Sequence, residues 1–375
     1  MKLIMYGMNQ DTVASDDLHK YRLDYSMRER HLTDISSFKG VSEVALISTE
    51  SRNEYYLYID EKAFKHGDLL RYLSAYTGRC LEDIILETYS KFNGDVVSHL
   101  FRLTSMISEQ AIPLSVLEQS LYEGNLFETS GKTLTRLFEG ALTFSLSLYD
   151  EKSLYPILIG NEAEIIQSMK NYFSLKEDLD FLIIGNHQII KQVSMYLIGK
   201  ADTYLTFLGK NEKSRKMIAS VKRRLSIVNK PRKINTVQTA DLNQLVYRLS
   251  KSDVIIIGPS IKNAWLSFEL LEDVLEMRPS KKRQLIIDLC GSQDETLFMD
   301  YPEMNYVQIP HDADKEYASE KLKAASAYYE EYVLNKVNDF MEDFYLENEE
   351  NKDKISLKKT FNNKYRYNNL KSSKV

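Results

Sequence analysis

Between the apolar run Val44, Leu46, Ile47 and the alternating run Tyr55, Leu57, Ile59 lies a polar interval, Ser48-Thr49-Glu50-Ser51-Arg52-Asn53-Glu54. Strand, polar turn and strand follow from that pattern, because residues two apart share one face of a strand. The turn gathers groups that do chemistry: hydroxyls at Ser48, Thr49 and Ser51, carboxylates at Glu50 and Glu54, and the guanidinium of Arg52. An arginine of this kind takes a carboxylate in a two-pronged fork, and a histidine such as His99 moves protons near neutral pH. His99 and Arg102 sit beside the apolar stripe Val96, Leu100, Leu103, Ile107 of an expected helix that begins near Gly94-Asp95, with Asp95 as its cap.

Ser-Thr-Glu-Ser-Arg-Asn-Glu resembles the Ser-Thr-Cys-Asn-Arg-Thr-Glu signature of the glutamyl-tRNA reductase family. Asn9-Gln10-Asp11-Thr12-Val13 is similar to that family's Asn-His-Lys-Thr-Ala, and the run Asp95 to Ser105 is similar to its Asp-Ala-Val-x-His-Leu-x-Arg-Val-Ala-Ser helix. The resemblance implies a reaction in which a cysteine thiolate attacks the aminoacyl ester of glutamyl-tRNA and NADPH reduces the thioester to glutamate-1-semialdehyde, for tetrapyrrole synthesis. It also implies that Thr49, Arg52, Glu54, His99 and Arg102 lie in or beside the substrate pocket.

Five departures bear on that chemistry. Glu50 stands where the family carries its nucleophilic cysteine, and a carboxylate neither attacks an ester as a thiolate does nor forms a thioester for hydride to reduce. Cys80 and Cys290, the two cysteines of the chain, lie elsewhere, with neither metal-ligand nor redox spacing. Gly185-Asn186-His187-Gln188-Ile189-Ile190 stands where the family has a Gly-x-Gly-x-x-Gly phosphate turn, so Gly185 survives and an imidazole at His187 crowds the second glycine's place. Lys210 supplies one charge where an arginine would meet a 2′-phosphate. Gly258-Pro259-Ser260 replaces a Ser-Ser-Thr on the nicotinamide side. The substrate block after the helix is eroded as well, around Met106 to Glu109 and Pro113 to Leu117. The expectation is a relative that has lost the thioester and hydride-transfer steps and works by binding. No cofactor is expected, with NADPH as the nucleotide if one is held and no metal. The alternative expectation is an NADPH-dependent reductase of glutamyl-tRNA or another activated carboxyl group, with a rearranged site.

The elements that must hold these groups are those of an α/β chain. Residues 1–150 mix strands and helices, among them a helix through Leu18 to Arg30 and one from Asp68 that ends at Gly78. In residues 160–311 the apolar runs at 181–185, 204–208, 254–258 and 285–289 read as buried parallel strands of a Rossmann-like doubly wound sheet. Residues 312–350 form a long spinal helix with Leu322, Ala325, Tyr329, Val333, Val337 and Phe340 on one stripe, which the resemblance assigns to a homodimer. Residues 351–375 are a basic tail expected to be disordered.

The 375 residues exceed one ordinary core, and 43% apolar with 27% charged residues fits a globular chain. A net charge of −5 excludes a protein that is basic throughout, so polyanion contact needs a local patch. One exists: Lys210 to Lys233 holds ten basic residues and one acid, with tRNA among the candidate partners beside a tetrapyrrole-pathway enzyme. No apolar run approaches the roughly 20 residues that span a bilayer, and a cytoplasmic setting is expected.

Overall fold

The computed structural model describes residues 1–107, 110–158, 160–173, 178–200, 203–209, 212–227, 236–259, 261, 265–278, 282–291, 293–309 and 318–344. Lys210, Ser260 and the tail lie outside them. Among the described residues two compact units form, one from Met1–Thr104, Gln119–Phe144 and the C-terminal helix from Ala327, the other from Ser105–Glu118 and Ser145–Ser326.

The first unit is built on an antiparallel sheet of order β2-β3-β1-β4, from β1 (Lys2–Asn9), β2 (Val41–Ser48), β3 (Arg52–Ile59) and β4 (Tyr89–Phe92). Its helices are α1 (Ser15–Leu18), α2 (Tyr25–Ser36), α3 (His66–Thr77), α4 (Leu81–Glu87) and α5 (Gly94–Leu103). Ile4, Tyr6, Met8, Val44, Leu46, Tyr55, Leu57 and Ile59 form one face of the sheet and pack with Leu32 and Ile35 of α2 and Leu69 and Leu73 of α3. Every residue of β3 is buried, because its second face is covered too. There Tyr56 meets Phe138 of α7 (Lys132–Ser147), ring centroids 5.2 Å apart, and Tyr58 meets Phe344 of the C-terminal helix at 6.2 Å.

The chain corrects two local expectations. The helix through Leu18 to Arg30 is broken: a 3-10 turn follows α1, Arg22 is extended, and Asp24 caps α2 by accepting from the Met27 amide at 2.8 Å. The cap position of α5 is Asn93, at φ 46°, so Asp95 falls in the first turn. Gly78 ends α3 at φ 69°, as expected.

Two further helices, α6 (Leu114–Leu126) and α7, are each divided between the units. The second unit then adds α8 (Glu162–Tyr172), β5 (Leu179–Ile184), α9 (Gln188–Lys200), β6 (Thr203–Leu208), α10 (Glu212–Ile227), β7 (Thr236–Ala240), α11 (Leu245–Lys251), β8 (Val254–Ile257), α12 (Phe268–Met277), β9 (Gln284–Asp288) and β10 (Met304–Gln308). Its six strands are all parallel in the order β10-β9-β8-β5-β6-β7. That is the doubly wound order, with the switch between β5 and β8, where such sheets place a ligand at the strands' carboxyl ends. The expected strands are present, and the sheet is wider by the edge strands β7 and β10, whose polar Thr-Val-Gln-Thr-Ala and Met-Asn-Tyr-Val-Gln carry no apolar run.

The long C-terminal helix, α13, covers 319–344. Its stripe residues Tyr329, Val333 and Val337 are buried, and Phe340 packs edge-on to Phe101 of α5 at 6.0 Å. Much of the stripe therefore packs within its own chain. Among the described residues no helix is long and apolar enough to cross a membrane.

A buried carboxylate site on the second face of β3

Alternation along β3 sends Arg52, Glu54, Tyr56 and Tyr58 to the face away from the α2–α3 core. Glu54 is fully buried and collects donors on both oxygens. Oε1 accepts from Tyr89 Oη at 2.6 Å, His99 Nε2 at 2.9 Å and Arg52 Nη1 at 3.1 Å; Oε2 accepts from Tyr56 Oη at 2.6 Å. Burial alone pushes the Glu54 carboxyl up, but the hydrogen bond and charge of His99, then Arg52 and Tyr56, outweigh it and hold it down at about 2. The site therefore keeps a permanent anion where an unpaired charge would cost several kcal/mol. The hydroxyls of Tyr56 and Tyr89 move the other way: burial and then the Glu54 charge push both well above the ordinary tyrosine range. They remain protonated donors.

Register explains how Tyr89 reaches a carboxylate 35 residues earlier in the chain. Gly7 on β1 stands opposite Glu54 on one side and opposite Tyr89 on the other. A Cβ at position 7 would press on the outer end of the Tyr89 ring, 2.6 Å from its hydroxyl oxygen, so the ring would have to shift. Glycine there lets Tyr89 lie across β1. The other arm comes from α5, whose buried Val96, Val97 and Leu100 fix the helix and leave His99, 18% exposed, at the outer edge. His99 and Tyr89, both partly buried, are the members through which the cluster meets solvent.

Of the residues singled out from sequence, Arg52, Glu54 and His99 are brought together. Thr49 and Arg102 are not part of that cluster. Thr49 closes the β2–β3 hairpin, its amide donating to the Arg52 carbonyl at 2.9 Å and its hydroxyl accepting from the Ser51 amide at 3.3 Å. Arg102 extends both terminal nitrogens to Glu330 of α13, each at 2.7 Å. Glu50 is at the hairpin tip, its side chain 83% exposed and paired with Arg22 at 3.0 Å. Gly7, Tyr56 and Tyr89 are site residues that sequence reasoning missed. Tyr56 carried a signal, since it shares the period-two face of Arg52 and Glu54. Gly7 and Tyr89 carried none.

At the switch point of the second unit, Gly185 adopts φ 114° after β5. His187 precedes α9, and its Nδ1 accepts from the Ile189 amide at 3.3 Å, so the imidazole caps the helix start. Ile190, in the place of a third glycine, is fully buried. A Cβ at Gly258 would lie 2.5 Å from Ile190 Cδ1 and 3.0 Å from the Ile184 carbonyl oxygen. The close approach of helix to strand is thus made by a glycine after β8. Asp288, at the end of β9, is buried and accepts from the amides of Cys290, Gly291 and Gln293 and from Tyr306 Oη at 2.8 Å, fixing the loop that carries Cys290. Burial pushes the Asp288 carboxyl up, and these hydrogen bonds, Cys290 first, hold it below its usual range. No cluster of metal-ligating side chains occurs among the described residues.

Residues 6–151 match the family described as glutamyl-tRNAGlu reductase, N-terminal domain. The chain is 23% identical over 301 residues to the glutamyl-tRNA reductase of Staphylococcus carnosus, an alignment covering 78% of this chain and 64% of that one. It is 20% identical over 337 residues to the glutamyl-tRNA reductase of Oceanobacillus iheyensis, covering 86% and 70%. This chain thus spans less than two thirds of the length of the first relative. A glutamyl-tRNA reductase structure from Methanopyrus kandleri aligns with 91% of this chain and 80% of its own, at 17% identity and a TM-score of 0.46.

Proposed function

We propose that this chain, whose residues 6–151 match the N-terminal domain of glutamyl-tRNA reductase, is a member of that family that works by binding a partner or substrate of its tetrapyrrole-linked chemistry rather than by forming a thioester and transferring hydride. The observation that carries the reading is Glu50. In the nucleophile's place stands a carboxylate, exposed at the hairpin tip and engaged with Arg22. Attack by a carboxylate on an aminoacyl ester would give a mixed anhydride, which water destroys, whereas a thiolate gives the thioester that hydride reduces. Both cysteines lie away from the hairpin: Cys80 is exposed ahead of α4, and Cys290 follows β9, its Sγ donating to the Ile261 carbonyl at 2.7 Å.

The glycine turn supports the same reading. A dinucleotide pyrophosphate sits against free amides at a helix start and needs glycine so that the backbone approaches closely. Here the imidazole of His187 takes the Ile189 amide, and its Cβ stands where that approach occurs. These residues do not fit a pyrophosphate in the usual manner.

The alternative is an NADPH-dependent reductase of glutamyl-tRNA or another activated carboxyl group. It is favoured by the intact Arg52, Glu54 and His99 cluster. Two measurements separate the readings. Purified full-length protein given glutamyl-tRNA and NADPH is expected to produce no glutamate-1-semialdehyde, and turnover lost in Glu50→Ala would overturn the proposal. Titration with NADPH is expected to show no saturable binding at millimolar nucleotide.

A further inference from the structure

Helix α10 carries an unusual load. Its sixteen residues hold six basic side chains and one acid, in a chain of net charge −5. Ser214, Met217, Ile218 and Val221 are buried, and the helix packs against α9 and β7 of its own unit. With 3.6 residues per turn, Lys213, Arg215, Lys216, Lys222 and Arg223 then fall on the opposite half of the helix. Lys213, Arg215, Lys216 and Lys222 are exposed. The helix does not gain by this placement, because Lys213, Arg215 and Lys216 lie in the first turns, where the macrodipole disfavours cations. The surface ion pair of Lys216 with Glu212, 3.0 Å apart and about 80% exposed on each side, offsets little of that.

We infer that the outer face of α10 docks the phosphate backbone of a nucleic-acid duplex. From position 213 to 223 the helix rises about 15 Å, and a duplex presents one negative charge per roughly 1.7 Å of its axis, so about nine phosphate charges lie within reach. An anionic membrane fits less well. A helix that binds a bilayer inserts its apolar face, and Met217, Ile218 and Val221 of α10 are already buried in its own unit. The arc carries no aromatic residue to stack on unpaired bases, so contact is with backbone phosphates and independent of sequence. This surface requires neither the β2–β3 hairpin nor the Glu54 cluster, and it stands if the functional reading above fails.

The test uses the full chain and fluorescently labelled 20-base-pair RNA and DNA duplexes, with anisotropy read between 50 and 200 mM salt. With four phosphates neutralised, binding is expected to weaken about 100-fold across that range. The quadruple variant Lys213→Gln, Arg215→Gln, Lys216→Gln, Lys222→Gln is expected to bind at least about tenfold more weakly at 100 mM salt, with a salt slope shallower by about 0.9 for each phosphate no longer neutralised. All four positions are exposed, and circular dichroism checks that the helix persists. Single Arg215→Gln and Lys222→Gln variants, each expected to lower affinity about twofold to threefold, give a second reading. Lys321→Gln with Lys323→Gln, two exposed lysines of α13, should leave affinity unchanged. Affinity and slope unchanged in the quadruple variant would overturn the inference. So would binding to phosphatidylserine vesicles with none to either duplex.

Discussion

The two faces of β3 each bury a polar group with a histidine, and they do it in opposite ways. On the core face, His31 of α2 is fully buried, and its Nδ1 shares a hydrogen bond with Tyr55 Oη at 2.8 Å. The rings of Tyr72 and Tyr76 approach edge-on at 5.0 and 4.3 Å. Burial holds this imidazole down at about 4, against a smaller upward pull from Asp34, so it is neutral at physiological pH. On the other face Glu54 is an anion held by Arg52, His99 and two tyrosine hydroxyls, and His99 reaches solvent. A neutral histidine walled in by aromatic rings serves packing. A charged cluster with a partly exposed histidine is the candidate of the two for engaging a ligand.

Removing the carboxylate tests this contrast most severely. Glu54→Ala strands Arg52 and His99 against a buried face and is expected to cost about 3–5 kcal/mol in urea unfolding; a loss under about 1 kcal/mol would mean the cluster is not held by charge.

Acid distinguishes the faces next. The folded pKa of His31, about 4, lies below its ordinary 6.5, so the unfolded chain binds the extra proton between those values. The stability from neutral His31 is complete above pH 6.5 and is lost as pH falls to 4, about 3 kcal/mol in all. His31→Phe should flatten the stability curve across that window. Glu54 is also depressed, from 4.5 to about 2, so its contribution is present above pH 4.5 and is lost only as pH falls toward 2. His31→Phe should leave that lower limb in place.

A smaller effect is expected at Gly7. Gly7→Ala forces the Tyr89 ring away from Glu54 and should cost about 1–3 kcal/mol. Much of that loss should disappear in a Tyr89→Phe background, where the hydroxyl bond is already gone; full additivity of the two changes would place the clash elsewhere. Smallest of all, Glu50→Ala removes only an exposed pair with Arg22 and should change stability by less than about 0.5 kcal/mol. A larger change would mean that the hairpin tip is part of the buried cluster after all.

The contrast between Thr49 and Glu54 shows where sequence reading ended. Both lie in one short polar motif, and the motif alone gives them equal standing. In the structure the hairpin consumes Thr49 in its own turn, while Glu54, five residues on, enters a strand and takes its partners from β4 and α5. Arg102 likewise shares a helix with His99, yet α13 draws it to Glu330. A stripe of apolar residues on α13 was legible, but whether its partner was another copy or the same chain was not, because periodicity records that a face is apolar and not what covers it.

By itself the sequence determined the local facts: alternation in β3, the parallel strands of the second unit and the left-handed end of α3 at Gly78. These depend on residues a few positions apart. The tertiary structure alone decided that Tyr89 crosses Gly7 to reach Glu54, that His187 caps α9, and that Gly258 makes room for Ile190. The physical reason is register and close approach. Which residues face each other across strands far apart in sequence, and which backbone must lack a Cβ to let them meet, is fixed only when the whole sheet is assembled.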